Sequence, residues 1–392
     1  MTSFVCIVIA YSNLATNPAV VGVLPPDFYP MKKLGLGVLG LGEGRSIVSG
    51  ALGSPAWHVV SLCDVNEQLG RERLAEFSLP AKAFTKNYDD MLADPGIDAV
   101  GIYTPDHLHA EHVIRALQAG KHVICTKPFI DSLASAKKVL AAVKKSGRQV
   151  MVGQSSRHFA PFARQREHFE EGILGELICV EASYNADHRW FLAKPWARKA
   201  EFKWLYGGLS HPVDFVRWYL PRITEVSGYA LLSPNGQKHG LVHADTFQFV
   251  MRDAEGRVAR VSGAYSGPVV PNARDSNMSC VLRGTKGASQ GDYYELRYSW
   301  KTDTRSAMET FEDQDAHFFR FGGHSHHAGE YQNYLDYFAC CLAKGISPKP
   351  DATEGIVTVA LMQAMDEAAA TGQPVKVREM LARYKLAGLF PA

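Results

Sequence analysis

The stretch that decides the fold is Leu-Gly-Leu-Gly-Val-Leu-Gly-Leu-Gly-Glu-Gly-Arg-Ser, residues 34–46. Its first six residues form an apolar run typical of a buried strand, and glycines follow at 40, 42 and 44. Because glycine has no side chain, the backbone amides of such a turn can approach a phosphate group at the start of a helix. The third glycine of the usual Gly-x-Gly-x-x-Gly pattern falls on Arg45. Either Gly44 replaces it in a tighter loop, or Arg45 reaches toward phosphate. The candidate contacts in this turn are Gly40, Gly42, Glu43, Gly44, Arg45 and Ser46.

Strands and helices alternate through the next hundred residues. Apolar runs over 58–63, 99–103, 122–125 and 149–152 predict strands, and helical spacing over 107–119 and 132–145 predicts helices between them. This alternation predicts an α/β fold with a doubly wound parallel sheet, covered by helices on both faces. Ligands of such sheets bind beyond the carboxyl ends of the strands.

Asp64 ends the second strand, 24 residues after Gly40. A carboxylate at about this spacing accepts hydrogen bonds from the adenosine ribose diol and repels a 2′-phosphate. The next Arg or Lys is Arg71. The sequence therefore predicts a dinucleotide site that takes NAD in preference to NADP.

Three stretches make a more specific pattern. They are residues 103–112, which begin Tyr-Thr-Pro-Asp-His, then Ala-Gly-Lys-His-Val at 119–123, and Thr-Lys-Pro at 126–128. Together with Val-Gly-Gln at 152–154, Arg157 and the closing stretch 348–377, they resemble the Gfo/Idh/MocA family, the relatives of glucose–fructose oxidoreductase and inositol dehydrogenase. The resemblance spans residues 34 to about 378 and implies a Rossmann domain followed by an open-sheet substrate domain. The further cofactor contacts that it implies are Tyr103, Thr104, Pro105, His109, Thr126, Lys127 and Gln154.

Lys127 is the predicted catalytic lysine. The resemblance places it between nicotinamide and substrate, where burial lowers the pKa of an ammonium and its N–H can donate to the reacting hydroxyl. The alternative is an exposed lysine before a turn. The glutamate of the family's Glu-Lys-Pro triplet is Thr126 here, so a contact usually made by a carboxylate is weakened or moved.

His211 is the predicted general base. The family pattern Asp-x-x-x-His-x-x-Asp is matched at His211 and Asp214, but its first aspartate is Gly207. A histidine, with an ordinary pKa of about 6.5, suits proton transfer near neutral pH. The missing aspartate removes one familiar partner, and a structural histidine that caps a helix is the alternative.

The second half is rich in predicted strands, over 176–184, 225–232, 246–252, 258–266, 279–283 and 295–300. They fit an open, mainly antiparallel sheet in an α+β domain, which in the family often forms oligomer contacts. We predict a Rossmann domain over 31–155 and a substrate domain over 156–378, whose helices at 330–371 return to the first domain. Residues 1–30 are treated as an N-terminal extension and 379–392 as a tail.

Residues 187–204 combine three tryptophans with five lysines or arginines. Aromatic faces stack on sugar rings, and arginines bind carboxylate or phosphate groups. This favours a sugar substrate with an anionic group held by Arg189 or Arg157, and the alternative is a solvated loop with interface tryptophans. The candidate substrate contacts are Arg157, His188, Arg189, Trp190, Asp214, His326 and Tyr331.

The segment His324-x-His326-His327 with Glu330 has spacing that metal sites use. Because a nicotinamide cofactor itself carries the hydride, we favour substrate contacts or helix packing there and predict no metal. His326 could also supply the acid or base that Gly207 does not.

Composition excludes several other functions. The net charge is +2 and 46% of residues are hydrophobic, so nothing indicates nucleic acid or a membrane surface. The seven cysteines form no Cys-x-x-Cys pair, which is typical of reduced thiols in a cytoplasmic protein.

The sequence thus predicts an NAD-dependent oxidation of a secondary ring hydroxyl of a sugar or cyclitol by a cytoplasmic homo-oligomer. The alternatives are an NAD-dependent glycosidase that oxidises a ring carbon transiently, as some relatives of the family do, and a non-catalytic NAD sensor.

Overall fold

The computed structural model describes residues 32–194, 199, 202–270, 276–321 and 327–390. The predicted extension 1–30 and the candidate His326 lie outside these ranges. The chain divides into two units. The first unit comprises the chain up to His158 together with Gln314–Ile356. The second unit comprises Phe159–Asp313 together with the chain from Val357 onward. The first unit thus takes in a later segment that is separated from it by about 150 residues of sequence.

The first unit is built on a six-stranded sheet with the order β3-β2-β1-β4-β5-β6. All its strand pairs are parallel. This confirms the predicted doubly wound sheet, whose order places the glycine turn beside the crossover between β1 and β4. The strands are β1 Leu34–Leu39, β2 Trp57–Cys63, β3 Phe84–Thr85, β4 Ala99–Ile102, β5 His122–Thr126 and β6 Val150–Gly153.

Helices join these strands and begin or end where the side chains indicate. The Asn66 side chain accepts a hydrogen bond from the Leu69 N–H and starts one helix. Another helix ends at Gly147, which has a φ of 65° that glycine adopts without strain. The α-helices of the unit are Arg45–Gly53, Glu67–Glu76, Tyr88–Ala93, His109–Gln118, Ala136–Ser146, Asp315–Phe318 and Gly329–Lys344.

The core of the first unit includes the helix Gly329–Lys344. Its Tyr334, Leu335 and Phe338 pack with Leu36 and Ile47 in one buried cluster. Trp57 stacks on Phe338 and donates its indole N–H to the Leu335 carbonyl at 2.8 Å. The later segment therefore completes the hydrophobic face that the first helix of the Rossmann sheet presents.

The second unit contains a nine-stranded sheet with the order β14-β13-β12-β11-β7-β10-β9-β8-β15. Its pairs are antiparallel except β7 with β10, which confirms the predicted open, mainly antiparallel sheet. The strands are β7 Leu177–Ala186, β8 Ile223–Leu231, β9 Thr246–Asp253, β10 Val258–Ala264, β11 Ser276–Gly284, β12 Gly287–Tyr293, β13 Arg297–Thr302, β14 Ser306–Thr310 and β15 Val375–Lys376.

The helices of this unit include Ala160–Glu170, Ser210–Tyr219 and most of Ala352–Thr371. The predicted tail 379–392 overlaps the helix Val377–Arg383 and a short 3₁₀ turn at Ala387–Leu389. Among the described residues, no helix has the length and apolar character needed to cross a bilayer.

Candidate active site

The glycine turn between β1 and the helix Arg45–Gly53 is closely packed at two of its three glycines. Gly40 has a φ of 88°, and a Cβ there would lie 2.6 Å from the backbone of Tyr103. A Cβ on Gly44 would lie 2.1 Å from the Gly40 carbonyl oxygen, whereas a Cβ on Gly42 would meet no atom within 4 Å. Gly44 therefore provides a close backbone approach, and Gly42 leaves space on the open side of the turn.

Arg45 contacts protein groups. Its Nε donates to Glu76 Oε1 at 2.5 Å, and its guanidinium lies 3.9 Å from the Phe321 ring centroid. Of the two interpretations of this position, these contacts support the tighter loop built on Gly44. Ser46, the next residue, is buried in the first turn of the helix.

Asp64 joins the end of β2 to the glycine turn. Its Oδ2 accepts a hydrogen bond from the Leu41 N–H at 2.8 Å, and its Oδ1 accepts one from the Asn66 N–H at 2.8 Å. Each carboxylate oxygen has a second lone pair, so the group can accept further hydrogen bonds. The side chain is half-buried at the carboxyl edge of the sheet, which is the position that a ribose-binding carboxylate requires.

The turn after β4 is held by two histidines. His109 is fully buried, and its ring nitrogens lie 2.8 Å from the Pro128 and Thr104 carbonyl oxygens. The Thr104 hydroxyl lies 2.9 Å from His112 Nδ1. Pro105 lies at the N-terminal end of the 3₁₀ turn Asp106–Leu108. His109 thus acts on this turn through backbone groups.

Lys127 follows Thr126, the last residue of β5, and two carboxylates act electrostatically on its ammonium. Burial lowers the pKa of Lys127, while the negative charges of Asp106 and Glu43 oppose that change. Burial raises the pKa of Asp106, and the charges of His109 and Lys127 oppose the rise. The glycine turn, through Glu43, and the turn after β4, through Asp106, therefore both contribute charge at Lys127.

A tyrosine cluster lies next to this group within the same unit. The hydroxyls of Tyr103 and Tyr334 form a hydrogen bond, and the Tyr331 ring lies 6.1 Å from that of Tyr103. Burial raises the pKa of Tyr331 well above its ordinary value, with contributions from Tyr103 and Glu43, and a hydrogen bond with Ser155 opposes the rise. These tyrosines remain neutral at physiological pH and can serve as hydrogen-bond donors.

Two polar residues at the end of β6 are buried as well. Gln154 has an Oε1 atom with no hydrogen-bond partner among the described residues. Arg157, in the 3₁₀ turn Ser155–His158, is 6% exposed, and its charge helps burial to lower the pKa of His158 to about 3.

In the second unit, His211 lies in an aromatic group. Its ring makes an edge contact with Tyr184 at 5.9 Å between centroids. Tyr184 also contacts Tyr265, which stacks on Trp204 with ring planes 11° apart. His188 stacks on Trp204 at 5.1 Å. His211 lies in the first turn of the helix Ser210–Tyr219, so the helix positions it beside aromatic surfaces.

Asp214 and Gly207, the two other positions of the Asp-x-x-x-His-x-x-Asp pattern, are packed against other side chains of the second unit. Asp214 is fully buried 3.5 Å from Arg217, whose Nε donates to the Thr358 hydroxyl. A Cβ on Gly207 would lie 3.3 Å from the Phe202 ring. An aromatic side chain therefore borders the place where the family pattern has a carboxylate.

Arg189 and Trp190 lie in the basic and aromatic segment. Arg189 donates to both carboxylate oxygens of Asp187, at 2.7 and 2.5 Å. This pairing lowers the pKa of Asp187. Trp190 is partly exposed and lies edge-on to His188, with the Lys194 ammonium 5.6 Å from its ring centroid. The Arg189 charge is thus compensated by a neighbouring carboxylate.

Comparisons with known proteins agree with this architecture. A family model described as "Oxidoreductase family, NAD-binding Rossmann fold" matches residues 34–154, and one described as "Oxidoreductase family, C-terminal alpha/beta domain" matches residues 166–377. The chain belongs to the Gfo/Idh/MocA oxidoreductase family. Its first unit is an NAD-binding Rossmann domain.

Individual relatives are distant but match over nearly their whole length. Levoglucosan dehydrogenase of Pseudarthrobacter phenanthrenivorans is 24% identical, over 90% of this chain and 100% of the relative. Inositol 2-dehydrogenase 1 of Saccharopolyspora erythraea is 26% identical, over 88% of this chain and 95% of the relative. The structure of an Agrobacterium radiobacter oxidoreductase in complex with NAD⁺, L-tartaric acid and magnesium has a TM-score of 0.79 and 19% identity, covering 89% of this chain and 100% of that one.

The residues of the first unit fit NAD. The space at Gly42 gives a phosphate group access to the turn, and the Asp64 carboxylate has free lone pairs. The unpartnered Gln154 Oε1 is an acceptor that a carboxamide could satisfy. The donor and acceptor set of this Gfo/Idh/MocA chain is thus suited to the cofactor of its family.

Sequence reasoning missed one charged group in the first unit. Asp106 acts on Lys127, and its place two residues after Thr104 at a strand end was a usable signal. Glu330 is fully buried and forms an ion pair with His327. Glu330 lies in the first turn of the helix that begins at Gly329. No group of three or more metal-ligating side chains occurs among the described residues.

Proposed function

We propose that this protein is an NAD-dependent dehydrogenase that oxidises a secondary ring hydroxyl of a sugar or cyclitol. The observation that carries the proposal is the position of Lys127, at the carboxyl end of β5 with the charge of Glu43 from the glycine turn acting on it. NAD, when bound, accepts the hydride. The protein's task is to hold the alcohol and move its proton.

Lys127 polarises the hydroxyl in this proposal. Burial lowers the pKa of its ammonium, so the group holds its proton less tightly than an exposed lysine does. A lysine in this condition can donate a hydrogen bond to the alcohol oxygen, and that bond strengthens as the oxygen loses its own proton. Asp106 and Glu43 keep enough negative charge nearby to limit the cost of burying the ammonium.

His211 accepts the hydroxyl proton. Because Gly207 supplies no carboxylate, no aspartate at that position can orient the imidazole. Its edge contact with Tyr184 and its place in a helix turn support a fixed ring orientation instead. Asp214 contributes through Arg217 and the packing of the same helix.

The substrate surface in this proposal is aromatic. The half-buried His188 and the exposed Trp190 support an interaction with the C–H face of a sugar or cyclitol ring, and the buried Trp204, which stacks on Tyr265, packs against His188. The remaining substrate contacts that we propose are Arg157, His326 and Tyr331, whereas Asp214 acts through Arg217. Since Asp187 already neutralises Arg189, we assign it a positioning role in the loop and propose that the substrate is uncharged.

The cofactor contacts that we propose divide into three groups. The phosphate groups meet the glycine turn, the ribose meets Asp64, and the nicotinamide end meets the turns after β4, β5 and β6. The residues are Gly40, Gly42, Glu43, Gly44, Arg45, Ser46, Asp64, Tyr103, Thr104, Pro105, His109, Thr126, Lys127 and Gln154. Of these, Arg45 and His109 act indirectly, through Glu76 and through backbone carbonyls respectively.

We also propose a cytoplasmic homo-oligomer. Four apolar side chains on neighbouring strands of the second sheet are more than half exposed, namely Tyr229, Leu231, Val250 and Val258. Such a group of apolar side chains is typical of a protein–protein contact. Size-exclusion chromatography with light scattering would test it, and a monomer at micromolar concentration would contradict it.

The central experiment compares oxidation with glycoside cleavage. Purified protein is given NAD and a panel of free sugars, anhydrosugars, cyclitols and aryl glycosides, and NADH absorbance and released phenol are followed in parallel. We expect stoichiometric NADH from a neutral sugar or cyclitol, with little activity when NADP replaces NAD. Phenol release that requires NAD but accumulates no NADH would instead establish the redox-neutral glycosidase.

A further inference from the structure

His109 has an arrangement of hydrogen bonds that a neutral histidine cannot make. The side chain is fully buried. Nδ1 lies 2.8 Å from the Pro128 carbonyl oxygen, and Nε2 lies 2.8 Å from the Thr104 carbonyl oxygen. Both distances are those of good hydrogen bonds.

Carbonyl oxygens only accept hydrogen bonds, so each of these contacts requires a proton on the ring nitrogen. Neutral imidazole carries one such proton, and its other nitrogen would direct a lone pair at a carbonyl oxygen. That contact would be repulsive and would leave a buried acceptor unsatisfied. The geometry is satisfied only when both nitrogens of His109 carry protons.

The charges around His109 are compatible with a buried cation. Asp106, in the preceding 3₁₀ turn, carries the carboxyl on which both His109 and Lys127 act. Asp131, beyond the turn after β5, also acts on Asp106. His107 and His112 are further ionisable neighbours. Burial lowers the pKa of His112, and the charges of Arg115, His109 and His107 add to that change while Glu111 opposes it. The carboxyl of Asp106 is therefore the source of compensating charge that we assign to His109.

We propose that His109 is held as an imidazolium that positions Lys127. One N–H holds the carbonyl of Pro128, the residue after the lysine, and the other holds the carbonyl of Thr104 in the neighbouring turn. The cation thereby joins the turns after β4 and β5, and the carboxylates of Asp106 and Glu43 together balance the charges of His109 and Lys127. This inference rests on the proposed role of Lys127, because it assigns to His109 the task of fixing that side chain.

The first test reads the protonation of His109 directly, without substrate. Protein labelled with ¹⁵N in its histidines is studied by NMR at pH 7.5, and the His109 ring is identified by its loss in His109→Gln. If that variant does not fold, ring-to-backbone correlations in uniformly labelled protein provide the assignment. We expect protons on both ring nitrogens. A single protonated nitrogen in the folded protein would overturn the proposal.

The second test separates positioning from general structural support. A glutamine at 109 can donate to one carbonyl only, so we expect kcat to fall by about ten- to a hundredfold, as a small misplacement of a reacting group does. We expect the Kd for NADH to change little and the pH–rate profile to shift, because the surroundings of Lys127 change. The matched control is His107→Gln, an exposed histidine in the same turn, which should retain wild-type kinetics. An unchanged kcat and pH profile in His109→Gln would contradict the positioning role.

Asp106→Asn tests the compensating charge. With that charge removed, only one ring nitrogen of His109 should carry a proton at pH 7.5, as read by the same NMR signals. Protons on both ring nitrogens in Asp106→Asn would refute the assignment of Asp106 as the counter-charge. These NMR results stand apart from catalysis. If His109 carries both protons while replacement of Lys127 leaves activity intact, the proposed function is wrong but the assigned protonation of His109 is correct.

Discussion

The turns around Lys127 and the surroundings of His211 satisfy their polar groups in different ways. In the first unit, both His109 nitrogens and both Asp64 oxygens have backbone partners. In the second unit, the His211 ring contacts Tyr184, and several buried polar atoms have no partner among the described residues. These atoms are Trp204 Nε1, Ser210 Oγ, Tyr265 Oη and Ser266 Oγ.

This difference separates two ways of building a site. Backbone partners fix the turns of the first unit before any ligand binds, since each buried hydrogen bond left unmade would cost about 1–3 kcal/mol. The unpartnered atoms near Tyr265 carry that cost unless water or a ligand satisfies them. We therefore expect substitutions in the first unit to affect catalysis and cofactor binding, and those near Tyr265 to affect stability little.

The largest effect is expected at Lys127. Lys127→Met keeps much of the aliphatic stem but removes the ammonium, so kcat should fall by about 10³-fold. That factor corresponds to about 4 kcal/mol of transition-state stabilisation. The Kd for NADH, measured by fluorescence, should change by less than about tenfold, because the dinucleotide contacts elsewhere remain.

The control for this prediction is Lys137→Met, an exposed lysine on the helix Ala136–Ser146. It should leave kcat unchanged. If Lys127→Met retained most of its activity, the catalytic centre would have to lie elsewhere, and the comparison between the two regions would lose its functional basis.

The sequence reached the first of these regions more fully than the second. Strand ends can be predicted from apolar runs, and in a parallel sheet they meet at one edge, so Asp64 was predicted from the strand pattern, whereas Lys127 was predicted from the family resemblance. His109 was found as a motif residue, but its two carbonyl partners come from separate turns that no spacing relates. Phe202 beside Gly207 is likewise a tertiary contact.

The antiparallel character of the second sheet was predicted, but some of its strands were not. Strands Gly287–Tyr293 and Ser306–Thr310 were not expected, because polar residues and glycine interrupt the apolar alternation on which strand prediction depends. Pairing with neighbouring strands supplies the stability that their own sequences do not indicate. The joining of residues 314–356 to the first unit also rests on packing, through residues such as Phe338.

The buried carboxyl of Asp336, in the first unit, should make the stability of the protein depend on pH. Ser54 donates a hydrogen bond to Asp336 Oδ1, and burial raises the pKa of Asp336 to about 7, although Ser54, Arg320 and Gln332 oppose the rise. Between the ordinary pKa of 3.8 and about 7, the folded state keeps the proton and the unfolded state releases it. The free energy of unfolding therefore falls as pH rises through this window, by at most about 1.4 kcal/mol per pH unit.

Asp336→Asn should remove this contribution while keeping an acceptor for Ser54. Urea unfolding at pH 5 and pH 7.5 should then show a smaller loss of stability with rising pH than in the wild type, by roughly 2 kcal/mol. The exposed Asp313 offers a control as Asp313→Asn. Equal pH dependence in Asp336→Asn and wild type would mean that the carboxyl is ionised in the folded protein.

Substitutions at Gly42 and Gly44, two glycines of the same turn, should affect cofactor binding and folding stability differently. An alanine Cβ at 42 meets no protein atom within 4 Å, so Gly42→Ala should leave the melting temperature of the protein without NAD unchanged. It should raise the Kd for NADH by about tenfold, because the methyl group occupies space that a phosphate approach requires.

Gly44→Ala, in contrast, should lower the stability of the protein itself. Its Cβ would lie 2.1 Å from the Gly40 carbonyl oxygen, so the turn must shift and the melting temperature should fall even without NAD. Scanning fluorimetry and NADH titration of both variants provide the comparison. Equal losses of stability in the two variants would show that the open side of the turn is closed in solution.

The smallest effect is expected at Tyr265, and its sign is informative. Tyr184 and Tyr265 make an edge contact, and a hydrogen bond between the Tyr184 hydroxyl and Ser276 opposes the rise that burial causes in the pKa of Tyr184. The Tyr265 hydroxyl has no partner among the described residues. Tyr184→Phe should therefore lower the free energy of unfolding by about 1 kcal/mol, whereas Tyr265→Phe should leave it unchanged or raise it by up to about 1 kcal/mol.

Kinetics of the same pair then decide what the Tyr265 hydroxyl does. If a bound ring satisfies it, Tyr265→Phe should raise KM for the substrate by about tenfold while stability stays level, since a hydrogen bond is lost only in the complex. If an internal water satisfies it, stability should fall as in Tyr184→Phe, with KM unchanged. The first result would mean that the aromatic residues near His211 contact the substrate. The second would mean that they form part of the packed core.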